Sequence, residues 1–228
     1  MIIGYYLVAI YCQKAMFNMS FISWFKKLGT PPKPVVDIAA PHPTIGTLGW
    51  YKFQWDRMIC DHTKHDKKIL LAVNAVVNNL DRYKSIEKLT GVPFALVAAI
   101  HYRECDFDFK SYLGNGDPLS KKSVNVPAGR GPFVTWEAGA LDALKYDHLD
   151  GKPPGYWTIE QQLMFAEKFN GGGYLKRALP SPYVWGCSSI CRTTGVYVSD
   201  GKFSNTAPTD TRLGVAILLK ELSLSFPA

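Results

Sequence analysis

The sequence contains no uninterrupted apolar run long enough to span a bilayer. Its most apolar stretch, residues 1–25, is broken by Gln13, Lys14 and Asn18, whereas a spanning helix needs about 20 consecutive apolar residues. No basic residue precedes this stretch, which argues against an ordinary signal peptide. We expect residues 1–25 to serve in export or membrane contact, as an uncleaved anchor or an interfacial helix. A mis-assigned start and a helix packed on the core remain the alternatives.

Signatures of nucleotide, nucleophile and metal chemistry are also lacking. No Gly-Lys-Ser/Thr follows the glycine-rich stretch 170–174, so it does not resemble a phosphate loop, and the chain has no nucleophile elbow. His101 and Glu104 supply only part of a zinc site, and the spacing of His62 and His65 does not complete one. We therefore expect no metal and no cofactor. His101 is predicted to be a hydrogen-bonded structural residue or to orient Glu104.

Cysteine is too scarce and too irregularly placed to form a disulfide framework. Five thiols leave at least one unpaired within the chain, and no further metal ligands lie beside them at the usual spacing. We expect mostly reduced cysteines, with a bridge across the loop 187–191 as the alternative in an oxidising compartment. The five are Cys12, Cys60, Cys105, Cys187 and Cys191.

Charged residues are few, but their balance is basic. They make up 20% of the chain against 47% hydrophobic residues, and the net charge is +7. The composition is typical of a globular domain, and the charge favours anionic partners such as nucleic acid, anionic lipid or acidic envelope polymers. Basic residues are scattered and adjoin one another only in short pairs such as Lys26-Lys27, and no nucleic-acid-binding motif is present. We therefore expect no nucleic-acid partner.

Proline separates the apolar beginning of the chain from the rest. Residues 28–47 contain five prolines, which is typical of an extended linker. We divide the chain into an apolar segment (1–27), this linker and a mainly α-helical domain (48–228). Residues 106–133 are rich in Gly, Pro, Asn and Asp, which predicts a long irregular loop or a small hairpin. Caps and periodicity predict helices at 66–78, 79–89, 93–104, 136–147 and 159–169, and a last helix from Thr209 or Asp210.

Glu104 ends the most apolar of these predicted helices. Leu96, Ile100 and Glu104 recur at helical spacing and share one face. A carboxyl held against apolar groups has a raised pKa, because desolvation disfavours its charged form. Such a group can donate a proton near neutral pH. The alternative is an ordinary helix-end glutamate that pairs with Arg103 or Lys110.

Glu104 also opens an ordered series of motifs. The motifs are Ile100-His101-x-x-Glu104, Asn115-Gly116-Asp117-Pro118-Leu119, Val126-Pro127-Ala128-Gly129 and Asn170-Gly171-x-Gly173-Tyr174. Over residues 50–222 the series resembles phage endolysins and bacterial wall lysins with a lysozyme-like fold. It resembles goose-type lysozymes and soluble lytic transglycosylases more distantly, and Cys105 stands where that wider group often has Ser.

The resemblance implies an enzyme that cleaves the glycan strand of peptidoglycan between N-acetylmuramic acid and N-acetylglucosamine. Glu104 would protonate the bridging oxygen. Attack by water makes a muramidase, and attack by the muramic 6-hydroxyl makes a lytic transglycosylase with anhydro products. A non-catalytic wall-binding module is the competing class. We expect a monomeric muramidase of phage-type lysis, made in the host cytoplasm and acting on peptidoglycan in the bacterial periplasm or cell wall.

A second carboxylate is a further expectation. Asp117 is expected to line the cleft as a catalytic partner of Glu104, although Asn-Gly and Asp-Pro are also ordinary turn sequences. Asp106 and Asp108 remain alternatives for this role. In the transglycosylase branch one glutamate serves as both acid and base, so that route requires no second carboxylate.

The glycine loop, residues 170–174, implies a sugar-binding surface through the same resemblance. In the resembling family it faces the cleft floor, where Tyr174 would stack on a sugar and Tyr183 would extend the platform. Trp185 is expected in the core, because aromatic residues are also the main material of any core. The expected substrate-binding residues are Asn115, Asn170, Gly171, Gly173, Tyr174 and Tyr183.

Overall fold

The computed structural model describes residues 42–199 and 201–226. The apolar segment 1–27, with Cys12, and residues 28–41 of the linker lie outside these residues. Within the described part the protein is mainly helical, as predicted, with a two-stranded antiparallel sheet, and none of its helices is long and apolar enough to cross a membrane. The α-helices are α1 (Leu48–Arg57), α2 (His62–Asn78), α3 (Leu80–Thr90), α4 (Phe94–Cys105), α5 (Trp136–Tyr146), α6 (Ile159–Phe169), α7 (Pro182–Trp185) and α8 (Val215–Ser225), the strands are β1 (Thr194–Ser199) and β2 (Lys202–Pro208), and Leu175–Arg177 is a 3-10 turn.

Several helices begin and end where their capping residues predict. Thr135 accepts a hydrogen bond from the Ala138 amide at 3.2 Å at the start of α5, and Thr158 forms a capping box with Gln161 at the start of α6. Gly91 ends α3 in the left-handed conformation, with φ 75°. These residues act locally, because a cap satisfies backbone groups that have no partner at a helix end.

Helix α4 runs through the hydrophobic core. Residues 96–100 are fully buried, and α3 and α8 both pack against the helix. The helix begins after Pro93, which has extended backbone (ψ 133°), and it ends at Asp106, which is left-handed (φ 52°). Because α4 is apolar and buried along its length, Glu104 in its last turn is the acid that this element brings to the edge of the core.

The last helix begins later than predicted. Helix α8 starts at Val215, after the predicted start at Thr209 or Asp210. The preceding residues make tertiary contacts instead of helical ones. The Gly214 amide donates to a carbonyl in the turn after α7 at 2.8 Å, and the Asp210 carboxylate pairs with Arg103 at 3.0 Å.

Residues 106–133 form the predicted long irregular loop. Of the small hairpin that was the alternative, the loop contains one antiparallel bridge between Ser111 and Pro118, without extended strands. It is fastened to α5 by Asp142, whose carboxylate accepts a hydrogen bond from Tyr112 at 2.8 Å and pairs with Arg130. The loop therefore has a fixed course without regular secondary structure.

The sheet lies between α7 and α8, where the sequence analysis predicted no strand. Thr194 lies opposite Pro208, and Ser199 lies opposite Lys202. Gly201, with φ 70°, is in the connecting turn. Both strands are only partly buried, so they lack the clean alternation that usually reveals a strand.

Candidate active site

Glu104 lies half-buried in the last turn of α4. Its Oε1 accepts a hydrogen bond from the Tyr183 hydroxyl at 2.8 Å. Burial raises the pKa of Glu104 to about 7, against the smaller lowering effects of the Tyr183 hydrogen bond and of the positive charges of Arg103 and Arg212. Protonated and charged forms of this carboxyl are therefore both accessible near neutral pH, as the apolar setting predicted.

The alternative pairing of Glu104 with Arg103 or Lys110 does not form among the described residues. Arg103 is itself buried and pairs with Asp210 at 3.0 Å. The Arg212 guanidinium donates to the backbone carbonyl of Arg103 at 2.8 Å. These contacts tie the end of α4 to the segment before α8 and leave the Glu104 carboxyl without an ion pair in the described structure.

Tyr183 contributes its hydroxyl to the carboxyl rather than an exposed face to a sugar. The residue lies on α7 and is only 6% exposed. The Arg103 guanidinium lies 5.1 Å from the centre of its ring. Its neighbour Trp185 is in the core, as predicted, with Trp50 edge-on at 5.8 Å. Tyr183 is thus placed to act on Glu104 directly.

Asp117 is fully engaged by its own loop. Its carboxylate accepts hydrogen bonds from the Val124 amide at 2.8 Å, the Asn125 amide at 2.9 Å and the Asn125 side chain at 2.6 Å. Burial raises the pKa of Asp117, but the hydrogen bonds from Asn125 and Val124 outweigh it and hold the pKa below its ordinary value. Asp117 is therefore a charged group whose oxygens organise the loop.

The remaining acids and amides of this loop also make local contacts. Asn115 accepts from the Asp117 amide at 3.0 Å and donates to the Asn125 carbonyl at 3.0 Å. Asp106 is the exposed cap of α4, and Asp108 accepts from the Ser111 hydroxyl at 2.8 Å. The turn nevertheless lies beside the candidate acid. A Cβ on Gly116 would come within 3.1 Å of the Glu104 carbonyl oxygen.

Asp147 is an acid near Glu104 that the sequence analysis missed. It follows the last residue of α5 and is half-buried. Burial raises its pKa, and its negative charge contributes to the raised pKa of Glu104. No motif contains Asp147, and it is far from Glu104 in the sequence, so only the packing of the helices could reveal it.

The glycine loop lies under the hairpin. Gly171 and Gly172 adopt left-handed backbone with φ 81° and 64° as the chain leaves α6 past the half-buried Asn170. The Tyr197 hydroxyl donates to the Gly173 carbonyl at 3.1 Å. The loop therefore has the geometry that glycine permits, but Tyr197, which sequence reasoning missed, covers part of its backbone.

Tyr174 is packed into this contact. It is 8% exposed, its hydroxyl accepts from the Tyr197 amide at 3.2 Å, and the two rings meet edge-on at 5.2 Å. Phe203 of β2 packs beside Tyr197, with its ring centre 6.2 Å from that of Tyr174 and 5.1 Å from that of Tyr197. This packing leaves Tyr174 with too little exposed ring to form the expected stacking surface.

His101 is a structural residue, which is one of the two roles predicted for it. It is buried, with Nδ1 2.8 Å from the Tyr83 hydroxyl and Nε2 3.2 Å from the Asp108 carbonyl. Burial lowers its pKa to about 4, so it is neutral near pH 7. Among the described residues no cluster of His, Cys, Asp or Glu could hold a metal ion, and Cys60, Cys105, Cys187 and Cys191 are free thiols.

Comparisons of the chain with protein-family models, curated protein sequences and solved structures gave no match. The resemblance to lysozyme-like wall lysins therefore depends on the ordered motifs, and the chemistry of the site depends on its geometry.

Proposed function

We propose that residues 48–228 form a lysozyme-like enzyme that cleaves peptidoglycan between N-acetylmuramic acid and N-acetylglucosamine, as in phage-type lysis. The observation that carries the proposal is Glu104, a half-buried carboxyl with a pKa raised to about 7 and a hydrogen bond from Tyr183. A module that only binds cell walls would have no need for such a carboxyl, whose burial in a charged form is costly.

Glu104 acts as the general acid in this proposal. Its proton passes to the bridging oxygen as the bond from that oxygen to the anomeric carbon breaks and positive charge develops on the sugar. The Tyr183 hydroxyl stabilises the carboxylate that remains. An incoming hydroxyl then attacks the anomeric carbon and gives its proton to a carboxylate, which is Glu104 itself in a route with one acid and a second carboxylate in a route with two. The net charge of +7 favours approach to an anionic wall polymer.

The identity of the incoming hydroxyl separates two activities. Attack by water gives a muramidase, which is the activity that we propose. Attack by the muramic 6-hydroxyl gives a lytic transglycosylase. The engaged state of Asp117 favours this second candidate, because a route that uses Glu104 as both acid and base needs no second free carboxylate.

The test is clearance of permeabilised Gram-negative cells by the purified protein, followed by mass analysis of the released fragments. We expect clearance by the wild type and by Glu160→Gln, because Glu160 lies in the first turn of α6 and its side chain forms no hydrogen bond or ion pair with the site among the described residues. Glu104→Gln should be inactive. Reducing-end products identify the muramidase, and 1,6-anhydro ends identify the transglycosylase. Binding to sacculi without release of any fragment would contradict both.

A further inference from the structure

A second buried carboxyl, Glu167, lies behind the candidate active site. It is on α6 and is fully buried. Its Oε2 accepts a hydrogen bond from the Ser181 hydroxyl at 2.5 Å, while its Oε1 is buried without a hydrogen-bond partner among the described residues. A buried carboxyl with an orphan oxygen is costly. Packing alone therefore does not explain a glutamate at position 167.

The groups that face Glu167 are polar but uncharged. Ser181 approaches from the start of α7. Tyr51 approaches from α1, and the negative charge of Glu167 contributes to raising its pKa. The Tyr51 hydroxyl is also buried without a partner among the described residues. Tyr174 is the third polar group near Glu167, because the negative charge of Glu167 also contributes to raising its pKa. No positively charged group of the described residues pairs with the carboxyl, and burial raises its pKa to about 7.

Ser181 connects Glu167 to the helix that carries Tyr183. Its hydroxyl donates to Glu167 and also accepts a hydrogen bond from the Val184 amide at 3.2 Å, as the N-cap of α7. Helix α7 is a single turn of four residues, and so short a helix is not stable by itself. Its position therefore depends on tertiary contacts at its ends, and the buried Glu167–Ser181 bond is the one at its start.

The opposite side of the same turn reaches Glu104. Tyr183 is the second residue of α7, and its hydroxyl donates to Glu104 at 2.8 Å. The charged groups around this bond are Arg103, Arg212 and Asp147, which all act on the pKa of Glu104. A shift of α7 by a few tenths of an ångström would lengthen the Tyr183–Glu104 bond and leave these charges in place.

We propose that Glu167 is a positioning residue, which through Ser181 and α7 fixes the hydrogen bond from Tyr183 to Glu104. The purpose of this role rests on the proposed function, but the measurement that tests the role does not. The hydrogen bond favours the charged form of Glu104. Weakening the bond must therefore raise the pKa of Glu104, and that shift can be measured without any substrate.

The experiment is a titration of the Glu104 carboxyl by 13C NMR in the full chain. Ser181→Ala and Glu167→Gln are compared with Tyr183→Phe, which removes the hydrogen bond itself. We expect each variant to raise the pKa of Glu104, by roughly 0.5–1 pH unit for Tyr183→Phe and less for Glu167→Gln. Ser181→Thr keeps the hydroxyl and should restore the wild-type value.

Two controls separate positioning from loss of stability. Thr135→Ala removes the comparable cap of α5, so it should lower the melting temperature and leave the pKa of Glu104 unchanged. In the Tyr183→Phe background, Ser181→Ala should add no further shift, because the two changes act through one bond. An unchanged Glu104 pKa in Glu167→Gln, or a full additive shift in the double variant, would overturn the role of Glu167. If Ser181→Ala does not fold, Ser181→Cys, a weaker donor of similar size, takes its place with the same expected direction.

The outcome is independent of the proposed function. The expected pKa shifts in a protein that releases no peptidoglycan fragments would support the positioning and reject the enzyme. Unchanged pKa values in an active enzyme would reject the positioning role and support the enzyme. If both hold, kcat should fall in Ser181→Ala while KM stays within about threefold, because Tyr183 acts on the reacting proton and not on sugar binding.

Discussion

Glu104 and Asp117 are the two carboxyls that the sequence put forward as a catalytic pair, and the structure gives them opposite environments. Both are withdrawn from solvent, and the turn before Asp117 lies against the backbone of Glu104. Asp117 receives three hydrogen bonds, which hold its pKa low. Among the described residues Glu104 receives one, and burial raises its pKa to about 7. The balance between burial and the donors that face a carboxyl thus decides whether it can serve as an acid.

The largest effect should come from Glu104→Gln. A neutral amide cannot supply a proton, and general acid catalysis contributes roughly 100- to 10,000-fold. We expect a loss of that size in the rate of peptidoglycan fragment release, with the fold retained by circular dichroism. Near-native activity in the purified variant would remove Glu104 from the mechanism.

Tyr174→Ala should act on stability rather than on substrate affinity. Tyr174 packs against Tyr197 and Phe203 and is nearly buried, and truncation of a buried aromatic residue costs about 3–5 kcal/mol. Denaturant unfolding measures this change. A stable variant with a raised KM would instead restore Tyr174 to the sugar-binding surface, where the motif resemblance placed it.

Asp117→Asn tests the other half of the pair. The substitution removes the charge from a group that accepts two backbone amides and a side-chain amide, which should cost roughly 1–3 kcal/mol of stability. Activity below the melting transition should fall less than about tenfold, which is smaller than the range for a lost general acid. A loss of activity as large as that of Glu104→Gln, in a fully folded variant, would make Asp117 a catalytic partner after all.

Removal of the first 40 residues should have the smallest effect on catalysis. The described residues belong to the compact unit Pro41–Ala228, and Thr47 caps α1 within it. We expect a chain that begins at Pro41 to digest isolated sacculi within about threefold of the full-length rate, since general acid catalysis is a local property. If the truncated protein folds but has lost most of its activity, the early segment belongs to the catalytic unit.

The elements that local chemistry determines were predictable from the sequence. The Thr135 and Thr158 caps and the Gly91 stop lie where they were expected, because each acts on its own helix end. Helix α2 extends to His62, before the predicted start at 66, because Asp61 caps it. The general acid candidate was also predictable, since an apolar helix that ends on one glutamate already implies a desolvated carboxyl.

The parts that depend on distant packing were not predictable. Asp147 influences Glu104 only because α5 ends near the end of α4, and Tyr197 covers the glycine loop only because the hairpin folds over it. The role of Tyr183 also differs from the predicted one, since a sequence cannot show whether an aromatic ring offers its face or its hydroxyl. Glu167 belongs to none of the sequence motifs, and its contact with Ser181 joins two helices that are separate in the sequence.

The central claim is that Glu104 holds its proton near neutral pH, and its titration in the full-length protein tests this most directly. Selective 13C labelling of glutamate gives the carboxyl signal, and its absence from Glu104→Gln assigns it. We expect a pKa of about 7, well above the ordinary 4.5, and activity that falls as the pH rises through that value. A Glu104 pKa at or below 4.5 would exclude Glu104 as the general acid, because the group would then be charged near neutral pH.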